Sequence, residues 1–443
     1  MTTPSGNIVF NSSTGSDTQS SGLGPATAVF GTGASTDGTT TVDLTADTPD
    51  LSGVSAGDLM WVLSSSGIQF SIIVSVDDGT DLVVTDVAFS QTESSRTWAI
   101  GGKRATIEDT DSRNLFTNCL VADMVIEIED AQTINSVITL SAVTAVTGYI
   151  VTIKGVTDSV VTITQTANAA CFTGDSPAAP YFYEWLKFEN TNVTKTSAHG
   201  ITNGIITARN CIFGDATNTL DDGISPGSYG SAGIAQNCDF VSCDKGMVTG
   251  HYQSSLRASR CRFKDCVTYG LYNGNNNNYV VDRCIFDNCG YGIYIPNEHT
   301  QWSVSDCIFY SSTNAGMYNN HVTNIIRKYV NVVGNVFVSN GGYGAETKTS
   351  VNEGSDFRNA FYNNTSGESS GYDDSQNLTL TADPFTDAAS GDFSLNDVAG
   401  GGATLKAHTI TIGGHTHYPF AWLNTASASG GGATRLINGG LIS

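Results

Sequence analysis

The chain has 443 residues, 14% of them charged, with 48 glycines and a formal net charge of −22. That length supports a large core, and so acidic a chain argues against binding nucleic acid or an anionic membrane. The charge is uneven, since residues 1–130 hold 18 acidic and only 4 basic groups.

Residues 1–40 are rich in Ser, Thr and Gly and read as an extended N-terminal arm. Residues 41–105 read as a small β module with strands at Thr40 to Leu44, Leu59 to Leu63, Gln69 to Val76, Asp81 to Val87 and Arg96 to Ile100. The sequence VDDGTD predicts a hairpin turn between the third and fourth. From residue 106 the segments MVIEIED, SVITLSA, YIVTIKG and VVTITQ alternate as strands do. The opening MTTPSGNIVFNSSTG has neither the basic nor the apolar part of a secretory signal, which predicts cytoplasmic synthesis. No apolar run approaches the roughly 18 residues that span a membrane.

The segments RNCIF, QNCDF, SRCRF, DRCIF, SDCIF, VGNVF and FRNAF then repeat one pattern. Starting from Phe188, their phenylalanines fall at 213, 240, 263, 286, 309, 337 and 361, in steps of 23 to 28 residues. A fixed period in the twenties means units stacked on their neighbours. Each unit holds three short apolar patches between turn formers, as in YVVDRCIFDNCGYGIYI. Period-two alternation points Phe263 and Cys261 inward and Arg262 outward. Stacking turns each inward position into a column about 4.8 Å per step. The columns expected are Cys211, Cys238, Cys261, Cys284, Cys307; then Cys243, Cys266, Cys289; then Met247, Leu271, Ile293, Met317. Cysteines so placed are small buried hydrophobes, and all are expected reduced.

This pattern resembles the right-handed parallel β-helices of the pectin-lyase-like superfamily, and phage tailspikes and virion fibres among them. The resemblance implies an all-β solenoid over 106–400, with a Gly-rich C-terminal tail or assembly region over 401–443. It also implies that LTLTADPFTDAASGDFSLN, through DPF and GDFSL, closes the last coil.

Candidate chemistry is sparse. Asp221 and Asp222 in NTLDDGIS are the one carboxylate pair suited to acid and base roles, read otherwise as an Asp-Asp-Gly turn in an insertion between coils. β-Helix galacturonases carry such a pair beside Asn-Thr-Asp, Gly-His-Gly and Arg-Ile-Lys motifs, none of which occurs here. Tyr272, Tyr294 and Tyr318 each follow a glycine by two residues and form an outward row, with Trp302, His251 and His299 expected nearby. Such a row suits sugar rings or a subunit interface. His415 and His417 form His-x-His, which threefold symmetry would gather into a transition-metal site. The run Asn275 to Asn278 reads as a turn.

The resemblance therefore implies a virion structural protein (tailspike, head fibre or decoration protein) that attaches to a host and binds cell-surface polysaccharide. A homotrimer beside other virion proteins is expected. No cofactor is expected, a structural Ca2+ or transition-metal ion being the one exception the residues offer. A polysaccharide lyase or glycoside hydrolase, and a self-assembling surface or filament protein, are the alternatives.

Overall fold

The structure is a computed structural model that describes residues 6–17, 19–65, 67–77, 79–89, 91–108, 124–140, 150–156, 160–174, 180–227, 231–249, 254–274, 279–296, 301–320, 329–347, 356–371, 376–412, 415–417, 420 and 423. His251, His299, the Asn275 to Asn278 run and residues 424–443 lie outside them. The chain divides into two compact units, residues 1–207 and 208–443. Among the described residues no helix is long and apolar enough to cross a membrane.

The first unit opens with an element that composition did not announce. Ile8–Phe10 is a strand, paired in parallel with Met124–Ile128 in the register Ile8↔Ile126. The residues after it are tied down by charge. Arg104 is fully buried, its Nη1 donating to the Ser20 carbonyl at 3.0 Å and its Nη2 lying 3.4 Å from Asp17. The Asp17 carboxylate also accepts from the Ala105 and Thr106 amides. The stretch expected as a free arm is thus folded against its own chain.

Val29–Asp37, Thr41–Asp43, Leu82–Thr85, Gly67–Asp77, Leu59–Ser64 and Thr92–Ile100 close a barrel in that order. Its interior holds Val42, Met60, Val62, Ile73, Val83, Trp98 and Ile100. The turn at VDDGTD joins Gly67–Asp77 to Leu82–Thr85, with Asp81 in the left-handed region at φ 52°. Val29–Asp37 belongs to the barrel rather than to an arm. Its VFGTGASTD sequence sends only Ala34 and Thr36 fully inside, so it carries little apolar signal. Asp47 holds it by accepting from the Trp98 indole and the Gly33 amide, both at 2.7 Å. The first unit ends in parallel coils. Met124–Ile128 pairs with Val151–Gly155, which pairs with Pro180–Glu184. Their alternate burial follows the alternation in MVIEI and VTIKG.

The second unit is built from regular coils of three strands. Tyr279–Asp282, Ile285–Asp287 and Tyr291–Ile295 make one of them. Successive phenylalanines sit in exact-neighbour register, Phe240↔Phe263↔Phe286↔Phe309↔Phe337↔Phe361. From Phe213 onward their rings stack at 4.6 to 5.0 Å between centroids and within 7° of parallel. Both cysteine columns are buried and free. Toward the C-terminus asparagine replaces cysteine in each column. Asn335 accepts from the Cys307 amide at 2.8 Å, and Asn340 accepts from the Ser312 amide at 3.0 Å. Every column cysteine here follows a left-handed residue, such as Asn237 (φ 53°), Arg283 (φ 52°) or Asp306 (φ 54°).

The segment from 380 onward does not close the last coil. Leu380, Phe385, Phe393, Leu395, Leu405, Phe420 and Leu423 instead pack over Ile285, Ile308, Val336, Val338 and Ala360. These five lie on four successive coils, Val336 and Val338 sharing one, in the outward positions beside Phe286, Phe309, Phe337 and Phe361. The C-terminal segment is a flap on the outer face of its own solenoid. Ile285 and Ile308 face outward, as the alternation requires, yet are only 4% and 0% exposed because the flap covers them.

Candidate functional site: a tyrosine terrace

One sheet of the second unit runs through Asp222–Ser225, Lys245–Thr249, Tyr269–Asn273, Tyr291–Ile295, Met317–Asn319 and Tyr343–Thr347. Each of these strands carries a glycine in a shared position, or in the case of Met317–Asn319 directly follows one, and each glycine faces a phenylalanine ring. A β-carbon on Gly223, Gly246, Gly270, Gly292, Gly316 or Gly344 would lie 2.5 to 2.8 Å from the Cδ1 of a column phenylalanine. The chain bends at this glycine, so it and the next residue are both buried while the residues on either side face out. The motif x-Gly-x-x therefore projects its first and fourth side chains together.

Two outward columns result. One runs Asp222, Lys245, Tyr269, Tyr291, and the other Val248, Tyr272, Tyr294, Tyr318, Glu346. Tyr272, Tyr294 and Tyr318 stand where the sequence placed them. Tyr269 and Tyr291 join them, with ring centroids 4.7 to 5.9 Å apart across the group. Strict period two would put Tyr269 and Tyr291 on the face of Leu271 and Ile293, and the sequence reading did not name them. The break at glycine moves them onto the terrace, and the repeated Tyr-Gly-x-Tyr was the available signal.

Tyr272 and Tyr294 are only 6° from parallel, yet their centroids are 5.9 Å apart. That is an ordinary offset stack, for which centroids about 4.5 to 7 Å apart are usual, and both side chains are only partly buried. Asn320 fixes one edge, donating to the Tyr294 hydroxyl at 3.0 Å and accepting from the Tyr318 hydroxyl at 3.2 Å. Burial and the neighbouring phenols push the Tyr269, Tyr272 and Tyr291 hydroxyls above their ordinary pKa. They remain hydrogen-bond donors across the neutral range.

At one end of the terrace Lys245 Nζ lies 3.0 Å from Asp244, 3.3 Å from Asp222 and 3.8 Å from Asp221. Burial alone would lower the lysine's pKa. Asp222, Asp244 and Asp221 outweigh it and raise the pKa, so the ammonium is fixed as a cation. Asp222 is not in a turn. It starts a strand, pairs with Lys245, and is 6% exposed. The Asp-Asp-Gly sequence looks like a turn only because Gly223 is the residue pressed against Phe240.

Trp302 does not belong to the terrace. It is 3% exposed and stacks on Tyr279 at 5.6 Å, on the strand that pairs with Tyr279–Asp282. His415 and His417 sit two positions apart on one strand of a small hairpin with Ile410–Ile412, and their side chains lie outside the described residues.

Residues 147–301 match the family described as right handed beta helix region. The parallel coils of the described residues are those of a β-helix fold. No curated protein matches it. Among solved structures it is similar to the tailspike protein of Acinetobacter phage vB_ApiP_P1 (13% identity, TM-score 0.37), covering 58% of this chain and 55% of that one. A second is ORF18 of Geobacillus virus E2 (13% identity, TM-score 0.37, 62% and 57% covered). The chain thus spans a little over half the length of each. A third is the catalytic unit of a GH87 α-1,3-glucanase from Streptomyces thermodiastaticus strain HF3-3 (12% identity, TM-score 0.31, 81% and 88% covered). All three likenesses concern the fold alone.

Proposed function

We propose that this β-helix is an attachment protein of a virion that binds cell-surface glycan through the tyrosine terrace. The observation that carries the reading is the cluster of Tyr269, Tyr272, Tyr291, Tyr294 and Tyr318, whose partly exposed rings and hydroxyls share one side of the solenoid. Sugars offer an apolar C–H face and a rim of hydroxyls, which such a surface matches. The carboxylates favour binding over catalysis. Asp221, Asp222 and Asp244 all converge on Lys245, an ion-pair cluster rather than an acid–base pair flanking a cleft. Homotrimeric assembly beside other virion proteins is part of this reading, with His415 and His417 as the candidate metal ligands on its axis.

A glycan array probed with the full chain tests the terrace. Tyr272→Ala with Tyr294→Ala should weaken retention by roughly tenfold or more while leaving the folded state intact. Retention unchanged by the double substitution would remove the terrace from the function. Release of oligosaccharide products from a bound polymer would move the reading to a hydrolase or lyase. Light scattering tests the trimer, and a monomer at micromolar concentration would refute it.

A further inference from the structure

The charges around the terrace narrow what can lie on it. No charged side chain stands among the five tyrosines in the two outward columns. At one end stand Asp221, Asp222, Asp244 and Lys245, and at the other Glu346, so four carboxylates flank the surface against one ammonium. That ammonium is already shared by three of the carboxylates and half-buried among them. It is not available to pair with a ligand's carboxylate or sulfate. Three carboxylates against one ammonium leave that end of the terrace net negative. Asp244 is engaged further by the Thr268 hydroxyl.

The geometry gives the surface a direction. The tyrosines occupy three successive coils, with Tyr272, Tyr294 and Tyr318 in register from coil to coil. At about 4.8 Å per coil, this accommodates roughly two or three pyranose rings placed end to end. The protonated phenols of Tyr269, Tyr272 and Tyr291 supply donors beside them. Donors spaced along an uncharged aromatic strip suit ring and hydroxyl oxygens.

We propose that the terrace takes a neutral, hydroxyl-rich polysaccharide lying along the solenoid axis and rejects anionic polymers; this rests on the terrace being the glycan site. Anionic chains meet acidic groups at both ends and, among the described residues of the two columns, find no free cation. Neutral chains lose nothing to those charges.

The experiment is affinity electrophoresis of the full chain in gels holding one polymer each: laminarin, dextran and galactomannan as neutral probes, polygalacturonate as anionic, chitosan as cationic. Retardation by at least one neutral polymer is expected, equal at low and high salt, and lost in Tyr272→Ala with Tyr294→Ala. Polygalacturonate should not retard the chain. Asp244→Asn with Glu346→Gln should leave neutral binding in place and admit polygalacturonate at low salt. Stronger retardation by polygalacturonate or chitosan than by every neutral probe, lost in the tyrosine variant, overturns the neutral class while the terrace stands. Retardation by a neutral polymer that the tyrosine variant retains overturns the terrace itself, and no retardation by any neutral polymer overturns the proposal.

Discussion

A β-carbon on Gly270 would lie 2.6 Å from Cδ1 of Phe286. The two residues belong to different strands of neighbouring coils, and the same relationship recurs at Gly292 with Phe309 and Gly344 with Phe361. The glycine column and the phenylalanine column are therefore one packing unit. The glycines exist because ring edges fill the space where a methyl group would go.

Gly270→Ala should destabilise the chain by roughly 1 to 3 kcal/mol, the usual cost of overpacking a close-packed site. Phe286→Ala should cost about 3 to 5 kcal/mol through the cavity it leaves. The pair together should cost less than the sum by about 1 kcal/mol or more, because the cavity accepts the new methyl group. Urea unfolding of the two single variants and the double variant measures this. Additive losses would show that the glycine does not answer to the ring.

Thiol chemistry separates the buried-column account from disulfide stapling. The nine described cysteines are free and buried, and burial pushes the Cys171 and Cys243 thiols well up. Only the thiolate reacts readily. Denatured under non-reducing conditions, the chain should titrate close to its ten cysteines. In the native state almost none should react within minutes. Two or more thiols missing from the denatured count would contradict the columns.

Much of this solenoid was legible in the sequence, and the failures share a cause. The Phe and Cys columns were readable because inward positions repeat with one residue type and a near-constant step. Val29–Asp37 was missed because a barrel strand of Gly, Ser and Thr shows almost no apolar alternation. Tyr269 and Tyr291 were missed because the bend at each glycine breaks the period of two. Trp302 was misplaced because its strand, Gln301–Ser305, belongs to the other sheet, where it stacks on Tyr279. The flap was misread because DPF and GDFSL announce a turn and a strand, not the outer face they cover. Outward isoleucine and valine at 285, 308, 336 and 338 were the available sign that something lies over them.

Asp306 sets a pH dependence. Burial first, and then the nearby Asp282 carboxylate, raise its pKa from 3.8 to about 7, with Arg283 opposing. A carboxyl whose pKa is higher folded than unfolded binds more protons when folded. Its contribution to stability is fully present below about pH 4 and is lost as pH rises through 7. Asp306→Asn should therefore stabilise the chain by about 1 to 2 kcal/mol at pH 8, solvent access reducing the full shift, and change little at pH 4. Asparagine also tolerates the left-handed corner at φ 54°, as Asn210 and Asn237 do in the same column. Thermal melts of both proteins at pH 4, 6 and 8 would show it, and an equal gain at all three values would assign the effect to the backbone alone.

The flap should come off before the solenoid melts. Phe393 is 3% exposed and meets Tyr310 and Phe385 edge-on at 5.5 and 5.3 Å. It is the ring through which the hairpin of Phe385–Asp387 and Asp392–Leu395 grips the outer sheet. Beneath it the Phe286 to Phe361 column is complete without the flap. Phe393→Ala removes apolar contact worth roughly 3 kcal/mol from a small element held on the solenoid by one layer of such contacts. Amide exchange over 383–407 should then speed up markedly, while the amides of Ile285–Asp287 and Ile308–Tyr310 keep their protection. Dye binding to the bared Ile285, Ile308 and Val336 face should rise at the same time. If exchange instead quickens equally in the flap and the column strands, the flap is an integral part of the solenoid core and the two melt as one.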